Sequence, residues 1–370
     1  MEPVTHILTG ACLARTGLNR KAAYATLTMA IAAEFPDIDK LWALRGPVED
    51  FEHHRGITHT FLGVPFEAAI IVAGIYGYHR WRVARRNRQQ AAGQTNAKPI
   101  TVAPVRWGLL YGFALLALLS HLLLDYTNNY GLRPFYPFNP HWYAASIVFI
   151  FDPLIFVLLV GALVAPLLFG LIGSEVGARK NPFRGRGWAI AALVGVISLW
   201  GFRAVEHERA VQMQMAQNVT APLPEGTDPD AAASTTYLQA QRALASPDLL
   251  NPFRWSGVTD FGQFYQLNEL NTRTETLTPA NSFEAKPVQT PAIRSAEASR
   301  LGRVYIDWSP MPFVHASRPD AAGVTTVTFK DPRFLGGWLA ENGHAALAAT
   351  VTVDAAGQVV EQTMDGRVER

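Results

Sequence analysis

Apolar residues in this chain gather into blocks over roughly its first half and scatter afterwards. Four blocks are long enough to consider as membrane spans: Phe61–Tyr78, Trp107–Leu124, Ala144–Ile172 and Trp188–Ala204. A span needs about 20 apolar residues to cross a ~30 Å hydrocarbon core. Pro153 and Pro166 fall in the third block, so its effective span is expected over Pro153–Leu171, or kinked. Two shorter blocks, Ile7–Ala14 and Ala22–Ala33, predict a re-entrant or half-buried helical hairpin rather than two spans. After Ala204 the chain turns polar. Val205–Val219 reads as a helical stalk, and the remainder to about residue 300 as flexible linker and irregular structure. From Arg303 onward, alternation predicts short strands at Val304–Trp308, Val324–Phe329, Leu347–Val353 and Val359–Thr363, with turns at Gly323, Pro332 and Asp354–Gly357.

The expected architecture is therefore an α-helical membrane protein with a small, mostly-β C-terminal extramembrane domain. It has about four transmembrane helices plus a short N-terminal helical hairpin over 1–204, a polar stalk over 205–300 and a β-rich domain over 301–370. Charge placement adds an orientation. Arg80, Arg82, Arg85, Arg86, Arg88, Lys98 and Arg106 lie between the first two spans with no acid among them. Arg179, Lys180, Arg184 and Arg186 lie between the last two against Glu175, and Arg15, Arg20 and Lys21 mark the tip of the hairpin. Basic loops favour the cytoplasmic side, so the C-terminal domain is expected outside. Glu2 and His6 stand where a cleavable leader would be basic, so the spans themselves are expected to target the chain.

The one cysteine, Cys12, excludes a disulfide framework and a thiolate metal site. The basic residues are juxtamembrane rather than interleaved with aromatics, so no nucleic-acid partner is expected. No G-x-S-x-G elbow, Gly-rich phosphate loop or H-E-x-x-H is present.

Candidate chemistry collects instead where the apolar blocks end. His6 precedes the first short block, and Glu34-Phe35-Pro36-Asp37-Ile38-Asp39 ends the second. His53, His54 and His59 precede the first span, and His121-x-x-x-Asp125 ends the second. The parity of the spans sends all of them to the external mouth. Imidazole and carboxylate are ligands that suit zinc and similar divalent ions, and ionisable groups at membrane depth point to function. Residues four apart on a helix share a face, so His121 and Asp125 suit one ion. Gly56 would permit a turn that points His54 and His59 inward together. In an extended segment Asp37 and Asp39 face opposite ways, so one ligates while the other orients a histidine, Asp37 being the preferred ligand. Both carboxylates also suit the N-terminus of a helix at Lys40–Leu44. Arg55 serves equally as an interfacial anchor or as a clamp on an anionic substrate. Asn128 is a candidate contact of the substrate or of a ligand. His79, His141, His207, His315 and His344 lack acidic or imidazole neighbours at useful spacing and read as surface or structural residues.

These blocks carry a resemblance. Thr5-His6 with Gly10, Phe35 to Asp39, His54 to His59, and His121 with Asp125 match, in order, the YdjM-like membrane-bound metal-dependent hydrolases. Residues 1 to about 175 resemble that bacterial inner-membrane family, which implies a multi-pass protein of the inner (plasma) membrane. A more distant similarity is to zinc-dependent phospholipases C and related nucleases, which hold several ions with Asp, clustered His and H-x-x-x-D. This chain has no second H-x-x-x-E pair for a third ion. Its C-terminal region resembles the extra sheet domain of some longer members.

The functional expectation is a metal-dependent hydrolase at the external membrane face, acting on a lipid or lipid-linked phosphoester and using a divalent metal, Zn²⁺ first. His54, His59, His121, Asp125 and Asp37 are the first ligand candidates and His6 and His53 the next. Asp39 or Glu34 would take a proton from water, with Arg55 as a further catalytic candidate. The alternative is a non-enzymatic membrane protein in which the metal is structural or transported. Haem ligation fits less well, because the histidines come with carboxylates.

Overall fold

The computed structural model describes residues 1–93, 100–175, 185–220, 237–335 and 346–369. Lys98, Arg179, Lys180, Arg184 and His344 lie outside the described residues. The chain divides into two compact units. The first comprises Met1–Leu41, His53–Ala145 and Ile150–Gly201, and the second Trp42–Glu52, Ser146–Phe149 and Phe202–Arg370.

The first unit is helical. Helices α1 (Pro3–Arg15) and α2 (Ala25–Glu34) form the N-terminal hairpin, and a 3₁₀ helix over Phe35–Leu44 leads out of it. After α3 (Pro47–His53), which falls almost wholly in the second unit, and a 3₁₀ turn at Ile57–His59 come α4 (Gly63–Ala91), α5 (Trp107–Thr127), α6 (Pro153–Glu175) and α7 (Arg186–Met215), whose last part from Phe202 belongs to the second unit. Among the described residues α5, α6 and α7 are long and apolar enough to cross a membrane, and α4 joins them as the longer arm of a segment bent by 83° after His59. The hairpin helices, at about 20 and 15 Å, are too short to span.

Small residues bring these helices together. Ala25, Met29, Ala32 and Ala33 of α2 are buried against Ala68 and Ile71 of α4 and Ala114, Ala117 and Leu118 of α5. Close approach of small side chains is what holds helices together where lipid surrounds them. A Cβ on Gly10 would meet the Met29 carbonyl oxygen, so only glycine lets α1 lie this close to α2. The outward faces are apolar and exposed, as at Ile70, Val157, Leu167, Val194 and Ile197. Two ends of the unit are distinguishable. Tyr24 bonds His79 at 3.1 Å and Arg186 packs beside Gly17, so the hairpin tip, the far part of α4 and the start of α7 share one end. His121 and Asp125 lie at the other end of α5, about 21 Å along the axis from Trp107.

The second unit corrects two expectations. Val304–Trp308 is not a strand but the last part of helix α9 (Arg300–Trp308). Ser299 caps that helix by accepting from Gly302 N, and Leu301, Tyr305 and Trp308 recur at helical spacing on its buried face. The stretch expected to be linker and irregular structure carries a four-stranded antiparallel sheet, β3 (Arg242–Pro247), β4 (Arg254–Asp260), β5 (Phe264–Asn271) and β6 (Thr276–Ala285), followed by α8 (Pro291–Ala298). Its buried positions include Thr259, Asp260, Gln266 and Asn268, so hydrophobic alternation is weak there. Gln214 satisfies part of that polar face: Thr259 Oγ1 donates to its Oε1 at 3.2 Å and its Nε2 donates to Leu244 O at 3.0 Å. The helix expected over Val205–Val219 is the continuation of α7 to Met215, and β1 (Asn218–Thr220) pairs with β2 (Tyr237–Gln239).

The other strands match the alternation. A five-stranded antiparallel sheet is ordered β11-β10-β9-β8-β7, with β7 at Phe313–Ala316, β8 at Thr325–Lys330, β9 at Ala349–Val353, β10 at Val359–Met364 and β11 at Arg367–Val368. Val327, Phe329, Val351 and Val353 form its buried face.

Candidate metal centre

Four segments of the helical unit deliver side chains to one buried point. His6 comes from α1, Asp37 and Asp39 from the 3₁₀ helix after Pro36, His59 from the turn before α4, and His121 and Asp125 from the last two turns of α5. The extended conformation expected around Asp37 is absent. The 3₁₀ coil instead lets both carboxylates reach the same imidazole, Asp37 Oδ1 at 3.4 Å from His59 Nε2 and Asp39 Oδ2 at 3.1 Å from His59 Nδ1. The turn that aims His59 also differs from expectation: its left-handed residue is Arg55 (φ 54), not Gly56. Gly56 is needed for another reason, since a Cβ there would sit 2.8 Å from His53 O.

Hydrogen bonds settle which ring nitrogens face the cluster. His121 Nδ1 lies 2.7 Å from Ala33 O, which only accepts, so Nδ1 carries the proton and Nε2 presents a lone pair. Asp39 holds His59 Nδ1 in the same manner, leaving its Nε2 inward. The two Nε2 atoms face each other at 3.1 Å. Asp125 Oδ2 lies 3.5 Å from each, and Asp37 Oδ1 lies 3.4 Å from His59 Nε2 and 3.9 Å from His121 Nε2. Asp125 Oδ2 is buried and accepts no hydrogen bond. The two Nε2 atoms and the facing carboxylate oxygens would be held together by a shared proton or by a bound cation. A tetrahedral ion with bonds of ~2.0–2.1 Å sets its ligands about 3.4 Å apart, close to these spacings. The donor set and the orphaned oxygen fit a divalent ion of the zinc type.

A second position shares Asp125. Its Oδ1 lies 3.4 Å from His6 Nε2, and His6 stacks on His121 with ring centroids 3.8 Å apart. The Met1 amino nitrogen contacts His6 Nε2 at 2.9 Å and Asp125 Oδ1. Asp37, His59 and His121, and separately His6, His121 and Asp125, form the groups whose geometry could hold an ion among the described residues.

Surrounding residues fix the ligands. Arg55 is buried: Nη2 donates to Asp125 Oδ1 at 3.0 Å, Nη1 donates to Gly131 O and Asn128 Oδ1, and the guanidinium lies 4.6 Å over Tyr130. Asn128 in turn donates to Asp125 Oδ1 at 3.2 Å. Arg55 thus holds Asp125 from behind. Burial disfavours charge on Asp39, but hydrogen bonds from His54 and His59 hold its carboxyl well below the usual range. Burial acts likewise on Asp37, and His59, His121 and Lys40 outweigh it in the same direction.

Of the other sequence candidates, His54 is half-buried, with Nδ1 3.4 Å from Asp39 Oδ1, and stands beside the cluster rather than in it. His53 ends α3 and joins neither ligand group. Glu34 has one buried, unpartnered oxygen, and burial together with Asp37 pushes its carboxyl up to about 8. His79, His207 and His315 contact Tyr24, Trp255 and Glu284 respectively. Sequence reasoning missed the Ala33 carbonyl and Lys40, whose Nζ donates to Asp37 Oδ2 at 2.7 Å. It also missed Glu67, a carboxylate on α4 with both oxygens buried and unpartnered. An acid inside an apolar helix was the available signal for Glu67.

The chain belongs to the YdjM inner membrane protein family, whose model matches residues 1–210. That match covers every candidate ligand. The chain is also similar to the uncharacterized protein YfhP of Bacillus subtilis (strain 168), with 26% identity over 165 residues. This alignment takes in 42% of the chain and 43% of that relative, so the chain spans less than half of its length. No solved structure matches.

Proposed function

We propose that this member of the YdjM family is a membrane-bound metal-dependent hydrolase acting on a lipid or lipid-linked phosphoester at the external face. The observation that carries the reading is the convergence of His59 Nε2, His121 Nε2, Asp37 Oδ1 and the unpartnered Asp125 Oδ2. Asp37, His59 and His121 would hold one ion, with Asp125 Oδ2 3.5 Å from both imidazoles, and His6, His121 and Asp125 form a second candidate position. Bound there, a divalent ion supplies Lewis acidity toward a phosphoryl or acyl oxygen and lowers the pKa of water toward ~7.

The chain's own groups divide the remaining work. Asp39 and the Ala33 carbonyl keep the two imidazoles in the ligating tautomer. The oxygens of Asp39 are taken by His59, His54 and the Arg55 amide, so of the two acids the sequence offered for proton transfer Glu34 is the one free to exchange protons with substrate. Lys40, half in solvent beside Asp37, supplies positive charge to an anionic group. Arg55, buried against Asp125, would act by holding that carboxylate rather than by clamping a substrate.

Full burial of His59, His121 and Asp125 favours a second reading, a closed structural metal site. Metal analysis of the purified protein, joined to turnover of a phosphoester panel including phospholipids, separates the two. Bound zinc with turnover that His59→Ala abolishes supports the hydrolase. Bound zinc without turnover, and unfolding on chelation, supports the structural site.

A further inference from the structure

We infer that the arginine-rich end of α4, remote from the metal centre, is a binding surface for anionic phospholipid headgroups. Arg80, Arg82, Arg85, Arg86 and Arg88 occupy nine residues, and no acidic residue occurs between Glu67 and Asp125. Among the described residues none of the five makes an ion pair with a carboxylate. Their contacts are aromatic. Arg82 lies 5.9 Å over both Tyr24 and Tyr78, Arg85 lies 5.6 Å over Trp81, and Arg80 Nη1 donates to Tyr76 Oη at 3.5 Å.

The aromatic rings form a band. Tyr78 stacks on Trp81 with centroids 5.9 Å apart, and Trp107 packs edge-on against Tyr76 at 5.2 Å and His79 at 5.7 Å. Tyr76, Tyr78 and Trp81 are exposed, and the apolar stretch of α4 ends beside them. Tyr and Trp with one apolar and one polar edge settle at the headgroup level of a bilayer. The seven steps from Trp81 to Arg88 rise about 10 Å, so all five guanidinium groups lie within roughly one Debye length of that level.

Arg186 beside Gly17 and the exposed Lys21 add charge at the same end. A guanidinium fork matches a phosphate oxygen pair, and five charges with no carboxylate partner among the described residues favour anionic over zwitterionic lipid. A nucleic acid would need free aromatic faces for its bases, whereas these rings are already engaged with one another and with arginine.

The test uses the purified full-length protein in mixed bilayer discs of phosphatidylglycerol and phosphatidylcholine, with the lipids retained after delipidation measured by mass spectrometry. Phosphatidylglycerol should be enriched on the wild type and lost with rising salt. R82Q/R85Q/R88Q should lower that enrichment on the order of tenfold or more, and R82K/R85K/R88K should keep most of it. R294Q/R318Q/R367Q, with the same change in net charge, should behave as wild type. Enrichment unchanged in the glutamine variant, or equally lost in the charge-matched control, overturns the inference. So does saturable binding of a single-stranded RNA oligonucleotide with no preference between the two lipids.

Discussion

Asp39 Oδ2 lies 3.1 Å from His59 Nδ1, while His59 Nε2, on the opposite edge of the ring, faces His121 Nε2 at 3.1 Å. One imidazole thus separates a carboxylate that orients from the donors that converge. Two aspartates only two residues apart in sequence are assigned different tasks by which edge of that ring they meet.

Metal affinity should report this division. Asp37→Asn removes a donor and should abolish most binding, as should Asp125→Ala. Asp39→Asn should retain binding at an affinity about 10–100-fold lower, the usual cost of losing an orienting partner. Competition against a chelator measures both; equal losses in the two asparagine variants would contradict the assignment.

Arg55 should matter for stability before chemistry. Its removal leaves Asp125 charged and buried without its guanidinium partner, and breaking such a pair costs about 3–5 kcal/mol. Arg55→Met should therefore lower the thermal unfolding temperature in detergent markedly, with or without added metal. An unfolding temperature equal to that of wild type would return Arg55 to the role of substrate clamp.

Gly10 is a packing position. In Gly10→Val, the new side chain must displace the Met29 carbonyl and Ala33, separating α1 from α2. Overpacking of this kind costs about 1–3 kcal/mol. His6 rides on α1, so the variant should also weaken any second bound ion. Metal stoichiometry at fixed free zinc is the readout.

Glu34 gives a pH signature in chelator-treated protein. Its folded carboxyl titrates at about 8, above its unfolded value. Between roughly pH 4.5 and 8 the folded state binds the extra proton, so this group's contribution to stability falls as pH rises. Glu34→Gln should flatten that decline and exceed wild type in stability at pH 8. A pH dependence unchanged in the variant would show that Glu34 is already ionised when folded across that range.

Orientation is open to a direct test. A reporter fused after residue 90 should be active only as a cytoplasmic marker, and one fused after residue 230 only as an external marker. The reverse pattern would move the metal centre to the cytoplasmic face.

Much of the candidate site was legible along the chain, because its residues are locally clustered and interrupt apolar blocks. His121 and Asp125 needed only helical spacing to be placed on one face, and the spans needed only length and hydropathy. Alternation likewise sufficed for β8 and β9, whose inner faces carry Val327, Phe329, Val351 and Val353. It failed for β4 and β5, because Thr259, Gln266 and Asn268 turn inward and are reconciled with burial partly by Gln214 on α7. It failed again at Val304–Trp308, where a cap at Ser299 and the packing of Tyr305 and Trp308 decide for helix over a β-rich composition.

Which nitrogen and which oxygen turn into the candidate metal site belongs to the tertiary structure alone. The Ala33 carbonyl that sets the His121 tautomer is a backbone atom 88 positions away and carries no sequence signal. Asp37 and Asp39 are equivalent as letters, and only the position of His59 between them makes one a ligand candidate and the other its support. Arg55, open in sequence to solvent or substrate, is committed by Asp125, Gly131 and Tyr130 once the helices pack. Composition and periodicity determine which segments enter the bilayer, because transfer free energy is summed locally. The direction of a lone pair is decided by contacts between segments far apart in the chain, and exists only in the folded protein.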